Sequence, residues 1–279
     1  MTQPLTFPIN GPIGIFDSGI GGLSVLRALR TELPRENFTY IADSGHAPYG
    51  ERDAAHVIDR SLKITAYLVK QNIKALVVAC NTATAAAIDQ LRTAYPSLPI
   101  IGVEPALKPA VAISQTKHIA VMATRSTLAS ARFAALLASQ SSQARFTLLP
   151  CDGLAEAIEQ FAQSLDTTIL IAACARILGP KGSFSTENRP ETRADTLVLG
   201  CTHYRFAAQQ IAEQAGQDLQ LIDTAEAVAR QTRQRIGLHQ SVQAVATPVK
   251  FITTGSVDVL RCATRTWLGL NSKIQALHI

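Results

Sequence analysis

The chain has 279 residues, 47% of them hydrophobic, enough for one large or two medium domains with a real core. No apolar run approaches the roughly 18–20 residues of a membrane-spanning helix, and the opening MTQPLTFPIN lacks the charged-then-apolar order of a secretory signal, so a cytoplasmic protein without a membrane partner is expected. The formal charge of +5 comes from dispersed Lys and Arg with no basic block, and aromatic residues make up only 5%, so sequence-specific nucleic-acid binding is not expected and the excess charge suits small anionic substrates instead.

Apolar runs of strand length follow one another at 12–16, 37–42, 75–79, 98–103, 118–123, 145–150, 195–200, 219–223 and 249–253. Between them lie segments such as 53–71 and 82–95, whose apolar residues recur at helical spacing and whose alanines favour helix. This alternation predicts an α/β protein with mostly parallel sheets. Two prolines in GVEPALKPA (102–110) mark a boundary near 104 between two α/β units, and the polar stretch 179–195 reads as a loop. The expected division is a first domain of 1–104 and 219–279, with the last two strands returning to it, and a second domain of 105–218.

In open α/β sheets ligands sit beyond the carboxyl ends of the strands, so the residues just after each apolar run are the candidates for chemistry. They are Asp17, Ser18, Gly19, Gly21 and Gly22; Asp43 and then Tyr49 and Gly50; Cys80, Asn81 and Thr82; Thr124 and Thr127; and Cys201, Thr202 and His203. The glycines resemble part of a dinucleotide fingerprint with Asp43 as a ribose-binding acid, but Ser24 replaces the third glycine and the Asp17 carboxylate would repel a pyrophosphate. A glycine turn that lets the chain approach a neighbour closely is the alternative.

Five cysteines, odd in number and without CxxC spacing, indicate neither a disulfide framework nor a cysteine-rich zinc site. Two of them repeat one construction: LVVACNT (76–82) and TLVLGCTH (196–203) each end a strand on a thiol followed by hydrogen-bonding residues and a helix start. Cys174 lies inside the alanine-rich LIAACARI and reads as core, while Cys151 follows a strand. A nucleophilic cysteine with His203 as base would explain Cys201 and leave Cys80 idle. Two thiols facing opposite sides of a bound carbon acid fit another reaction, in which one removes a proton as thiolate and the other returns one, inverting that carbon. A helix N-terminus is expected to lower both thiol pKa values toward neutrality. Asp17 would serve one thiol and His203 the other.

The ordered motifs FDSGIGGLSVL (16–26), PYG (48–50), VVACNTA (77–83), GVEPALKPA (102–110), ATRST (123–127) and LGCTHY (199–204) resemble those of the bacterial glutamate racemases, cofactor-independent amino-acid racemases. The resemblance implies two related α/β domains with the active site in the cleft between them, no cofactor and no metal. It implies Cys80 and Cys201 as the acid/base thiols acting on the D- and L-isomer respectively, and Asp17, His203 and Glu159 as their assistants. Asp17, Ser18, Tyr49, Gly50, Asn81, Thr82, Thr124, Thr127, Thr202 and His203 would contact the substrate. Glu159 read by itself is a solvated helix-face acid, and Arg205, where the family commonly has proline, would stand beside the cleft mouth. The implied role is supply of D-glutamate for peptidoglycan by a homodimer. The segment of about ten residues before the first strand is shorter than that of activator-dependent members, so no activator is expected. An aspartate or hydantoin racemase of the same fold, or an inactive binding protein, is the alternative.

Overall fold

A computed structural model describes residues 10–179, 193–216, 219–237 and 249–279. Among the described residues ten strands form two separate sheets in which every pairing is parallel. The first contains β1 (Ile13–Asp17), β2 (Phe38–Ala42), β3 (Ala75–Val78), β4 (Ile100–Gly102), β9 (Lys250–Thr253) and β10 (Ile274–Ala276), in the order β10-β9-β2-β1-β3-β4. The second contains β5 (His118–Ala123), β6 (Arg145–Pro150), β7 (Thr196–Leu199) and β8 (Gln220–Ile222), in the order β6-β5-β7-β8.

The central strands are continuous apolar runs because both faces of each sheet are covered. Ile13 and Ile15 pack on one side with α1 (Leu23–Glu32), α10 (Ala225–Ile236) and α11 (Val257–Leu268), while Phe16 packs on the other with α2 (Ala54–Lys70) and α3 (Asn81–Ala94). In the second sheet Ala120 and Met122 face α7 (Leu154–Ser164), α8 (Thr167–Leu178) and α9 (Ala208–Ala215). Ile119 and Val121 face α4 (Leu107–Ile113) and α6 (Ala131–Ala138). Phe206 belongs to the cores of both units and stacks on Trp267 of α11 at 3.7 Å, joining them behind the sheets.

Strand order fixes where a ligand can sit. In the first sheet the order reverses between β1 and β3, and in the second between β5 and β7. Each reversal opens a crevice at the carboxyl ends. The residues that follow those four strands are Ser18, Cys80, Thr124 and Cys201.

Three expectations need correction or limits. The run at 219–223 does not return to the first sheet: β8 pairs with β7, and the chain crosses back only with α10, whose Val228 and Ala229 join the first core. Apolar character marks a strand but carries no information about which sheet will take it. β10 was not expected, because three residues at a sheet edge, two of them exposed, give no periodic signal. The loop read over 179–195 and the segment before the first strand fall largely outside the described residues.

Candidate active site

Cys80 is the N-cap of α3, in extended backbone conformation, and its sulfur accepts the Ala83 N–H at 3.4 Å. Its thiol donates to Ser18 Oγ at 3.8 Å. The helix start is therefore present as expected, yet the thiol is not lowered: burial pushes Cys80 well up, and the nearby Asp17 carboxylate adds to the rise. The expectation of a depressed pKa fails because desolvation of the thiolate outweighs one peptide N–H and the end of a helix dipole.

Asp17 is fully buried at the end of β1. One of its oxygens accepts the N–H groups of Gly22 at 2.8 Å and Gly19 at 3.3 Å, and the other, Oδ1, has no hydrogen-bond partner. Burial raises its pKa against the opposing effects of His203 and the Gly22 N–H.

Cys201 has almost the same backbone setting, at the N-cap of a 3-10 turn over Thr202–Ala207, but a different partner. Its sulfur lies 3.7 Å from His203 Nδ1, and His203 Nε2 lies 2.8 Å from Glu159 Oε1. The same Glu159 oxygen accepts the Ile20 N–H at 2.8 Å. Burial alone would lower the His203 pKa, but the bonds to Cys201 and Glu159 and the charges of Cys201 and Asp17 lift it well above the ordinary imidazole value. The imidazole is thus held as a proton store between a thiol and a carboxylate. Glu159 is no solvated helix-face acid: α7 aims it across the interface into the glycine turn.

That turn explains its own glycines. A Cβ on Gly19 would lie 1.9 Å from Glu159 Oε1, and one on Gly21 would lie 2.3 Å from His203 Nδ1. Neither glycine has the positive φ that would mark a conformational requirement. They are absent side chains, making room for the His203–Glu159 pair of the opposite unit. Asp43 is likewise no ribose ligand: it is fully buried and bonded to Arg60 and Tyr49.

Between the two crevices lies a cavity of 320 Å³, lined by Cys80 and Cys201 together with Ser18, Tyr49, Gly50, Asn81, Thr82, Thr124, Glu159 and His203. Its size suits a small molecule. Thr82 Oγ1 is 3.0 Å from Thr124 Oγ1, a bond that spans the two units.

The profile of the Asp/Glu/Hydantoin racemase family matches residues 13–232. The chain belongs to that family. It is 46% identical over 278 residues to the glutamate racemase of Ralstonia pickettii (strain 12J), covering 99% of this chain and 94% of the relative. It superposes with a TM-score of 0.83 on glutamate racemase isoform RacE1 from Bacillus anthracis, at 30% identity and covering 98% and 99% of the two chains. The TM-score is also 0.83 for Escherichia coli glutamate racemase in complex with L-glutamate and the activator UDP-MurNAc-ala, at 26% identity and 96% and 98% coverage.

Of the residues that the family resemblance implies as acid/base groups, their assistants or substrate contacts, most come together, and three do not reach the cavity. Asp17 is sealed beneath the glycine turn; Thr127 sits behind the wall, 2.9 Å from Thr124 Oγ1; Thr202 turns its carbonyl toward Ser24 Oγ at 3.2 Å. Arg205 is not at the mouth but pairs with Asp223 at 3.3 Å on the far side of the turn. Among the described residues no Lys or Arg lines the cavity, whereas Glu51, Asp152, Glu156 and Glu159 do. Sequence reasoning left Cys151 a weak candidate and missed Asp152. Cys151 lines the cavity with its thiol pushed up to about 12 by burial and donating to the Leu149 carbonyl at 3.2 Å. Its position after β6 was the available signal.

Proposed function

We propose that this chain interconverts L-glutamate and D-glutamate by proton transfer at the α-carbon between Cys80 and Cys201, and that the D-glutamate serves peptidoglycan synthesis. The observation that carries the reading is that two thiols, each at the switch point of a different sheet, line one cavity. A substrate held between them presents opposite faces of its α-carbon to the two sulfurs.

With one sulfur ionised, the thiolate takes the α-proton and becomes a thiol, and the opposite thiol gives its proton to the other face and becomes a thiolate. Charge and protons balance, and the enzyme is left primed for the reverse reaction. The burial that raises Cys80 makes its thiolate a strong base once formed. The ammonium group of an incoming amino acid supplies the cation that a cavity without Lys or Arg lacks. On the other side, the raised His203 can hold a proton between the Cys201 sulfur and the Glu159 carboxylate. Hydroxyls of Ser18, Thr82 and Thr124, and the Asn81 and Thr82 N–H groups at the start of α3, are the donors for substrate carboxylates and for charge that develops as the proton leaves.

The choice of glutamate rests on the extent of identity to glutamate racemases and on the L-glutamate held by the Escherichia coli neighbour. The remaining parts of the reading are a cytoplasmic location, supported by five free cysteines, and a homodimer, for which light scattering should give about twice 29.9 kDa. The test of the reaction is incubation with L-glutamate in deuterated water, following optical rotation and α-deuterium together, with aspartate in parallel. Glutamate should lose rotation and gain deuterium at one rate. Turnover of aspartate alone would reject the substrate, and folded protein inert toward both would reject the chemistry.

A further inference from the structure

Asp43, set aside as a ribose ligand, remains unexplained by the two-thiol chemistry, and its surroundings are unusually complete. Its carboxylate accepts from Tyr49 Oη at 2.5 Å and Arg60 Nε at 3.0 Å on one oxygen, and from Arg60 Nη2 at 2.9 Å and Thr254 Oγ1 at 2.7 Å on the other. Arg60 comes from α2, is itself buried, and reaches the Ile279 carbonyl at 2.8 Å. Thr254 follows β9 and its hydroxyl also accepts the Gly45 N–H at 3.1 Å. Burial, then the Asp43 charge, push the Tyr49 phenol far up, so it remains a donor.

What hangs from this carboxylate is cavity wall. Ser44, Tyr49 and Gly50 belong to the turn after β2, and Ser256 belongs to the turn after β9; all four line the cavity. The two turns are in tight contact, since a Cβ on Gly255 would lie 2.8 Å from Ser44 Cβ and one on Gly45 would lie 2.6 Å from the Thr254 carbonyl. Gly50 in turn meets Thr124 of the opposite unit, where an added Cβ would lie 2.8 Å from the threonine methyl. Neither Asp43 nor Arg60 touches the cavity.

We propose that Asp43 and Arg60 are positioning residues that set substrate affinity, by fixing the 44–51 and 254–256 turns as one rigid wall of the cavity. A buried ion pair of this geometry is poor value as a stabiliser, because desolvation offsets most of its attraction. Its use is directional: three bonds from Arg60 and Thr254 fix the carboxylate, and the fourth, from Tyr49 Oη, ties the phenol to it. The effect falls on substrate binding and not on the proton transfer, because the wall carries none of the acid/base groups.

The experiment is steady-state kinetics of Asp43→Asn, Tyr49→Phe and Thr254→Val with glutamate, paired with amide hydrogen exchange of the substrate-free proteins. Asp43→Asn should raise KM by about 10- to 100-fold, the loss expected on leaving buried charge-assisted donors unsatisfied, with kcat within about threefold. Tyr49→Phe and Thr254→Val keep the ion pair; the first removes one bond to Asp43, the second removes one and also the acceptor of the Gly45 N–H, and each should raise KM by a smaller factor; they carry the test should Asp43→Asn not fold. Exchange over 44–51 and 254–256 should quicken in every variant while 76–84 stays as in the unmodified protein. A fall in kcat at constant KM, or unchanged exchange in the two turns, would overturn the proposal. The kinetic arm rests on the glutamate racemase reading; an unmodified protein inert toward glutamate would defeat that reading and leave the exchange arm to decide this one.

Discussion

The two cysteine corners of the cleft are alike in backbone and unlike in chemistry. Cys80 and Cys201 both end a central strand at a switch point and both cap a helical segment, with φ, ψ of −135°, 121° and −143°, 137°. Around Cys80 the partners are a peptide N–H and the Ser18 hydroxyl, over a sealed carboxyl with a free oxygen. Around Cys201 they are an imidazole and, behind it, a carboxylate anchored to the opposite unit. The repeated fold places two thiols symmetrically, and local substitutions then give each its own way of tolerating charge. In the proposed mechanism Cys80 depends on what the substrate brings, and Cys201 has the His203–Glu159 pair beside it.

The sharpest way to break this comparison is to remove either thiol. Cys80→Ala and Cys201→Ala should each lower racemisation by about 10³-fold or more, the range of a general acid or base, whereas Cys174→Ala, whose side chain is buried against α7 and α9, should change the rate less than about twofold. Comparable losses in all three, measured by polarimetry, would mean that the strand-end position confers nothing.

Next in size is the Cys201 relay. His203→Asn should lower kcat/KM by about 10- to 100-fold, and by the same factor in both directions because the equilibrium constant between enantiomers is one. Gly21→Ala should approach it, since the added methyl meets a stiff ring, while Gly19→Ala should lose less, because it meets the movable end of Glu159. Equal tolerance of both would show that the turn does not gate the relay.

The smallest effect concerns stability on the Cys80 side. Burial holds the Asp17 pKa above its ordinary 3.8, so the native state is favoured by its protonated form and loses stability as pH rises from that value through the raised one. Asp17→Asn should remove this fall. Urea denaturation should show the variant gaining on the unmodified protein from pH about 4 upward and levelling off once the raised pKa of Asp17 is passed, even as racemisation declines. A variant that loses ground with rising pH would place a stabilising charge at Asp17.

The strand-end thiols were legible because period and composition locate strand ends, and fold class then says that ligands sit there. Nine of the ten strands were visible for the same reason. What stayed hidden depends on contacts between units. Glu159 is 44 residues from His203 along the chain, and only the family resemblance pointed to it. The service of Gly19 and Gly21 to the opposite unit, the sheet that takes β8, and the raised pKa of Cys80 all follow from packing and desolvation. Asp43 shows the limit most plainly: its spacing from the glycines suggested a nucleotide site, and its burial beside Arg60 makes it a structural hub.

The central claim, one thiol for each face of the α-carbon, is tested most directly by α-hydrogen exchange in the single-cysteine variants. In deuterated water, Cys201→Ala should slowly wash deuterium into D-glutamate only and Cys80→Ala into L-glutamate only, with neither variant converting one enantiomer to the other. Exchange of the same enantiomer by both variants, or racemisation undiminished in either, would contradict it.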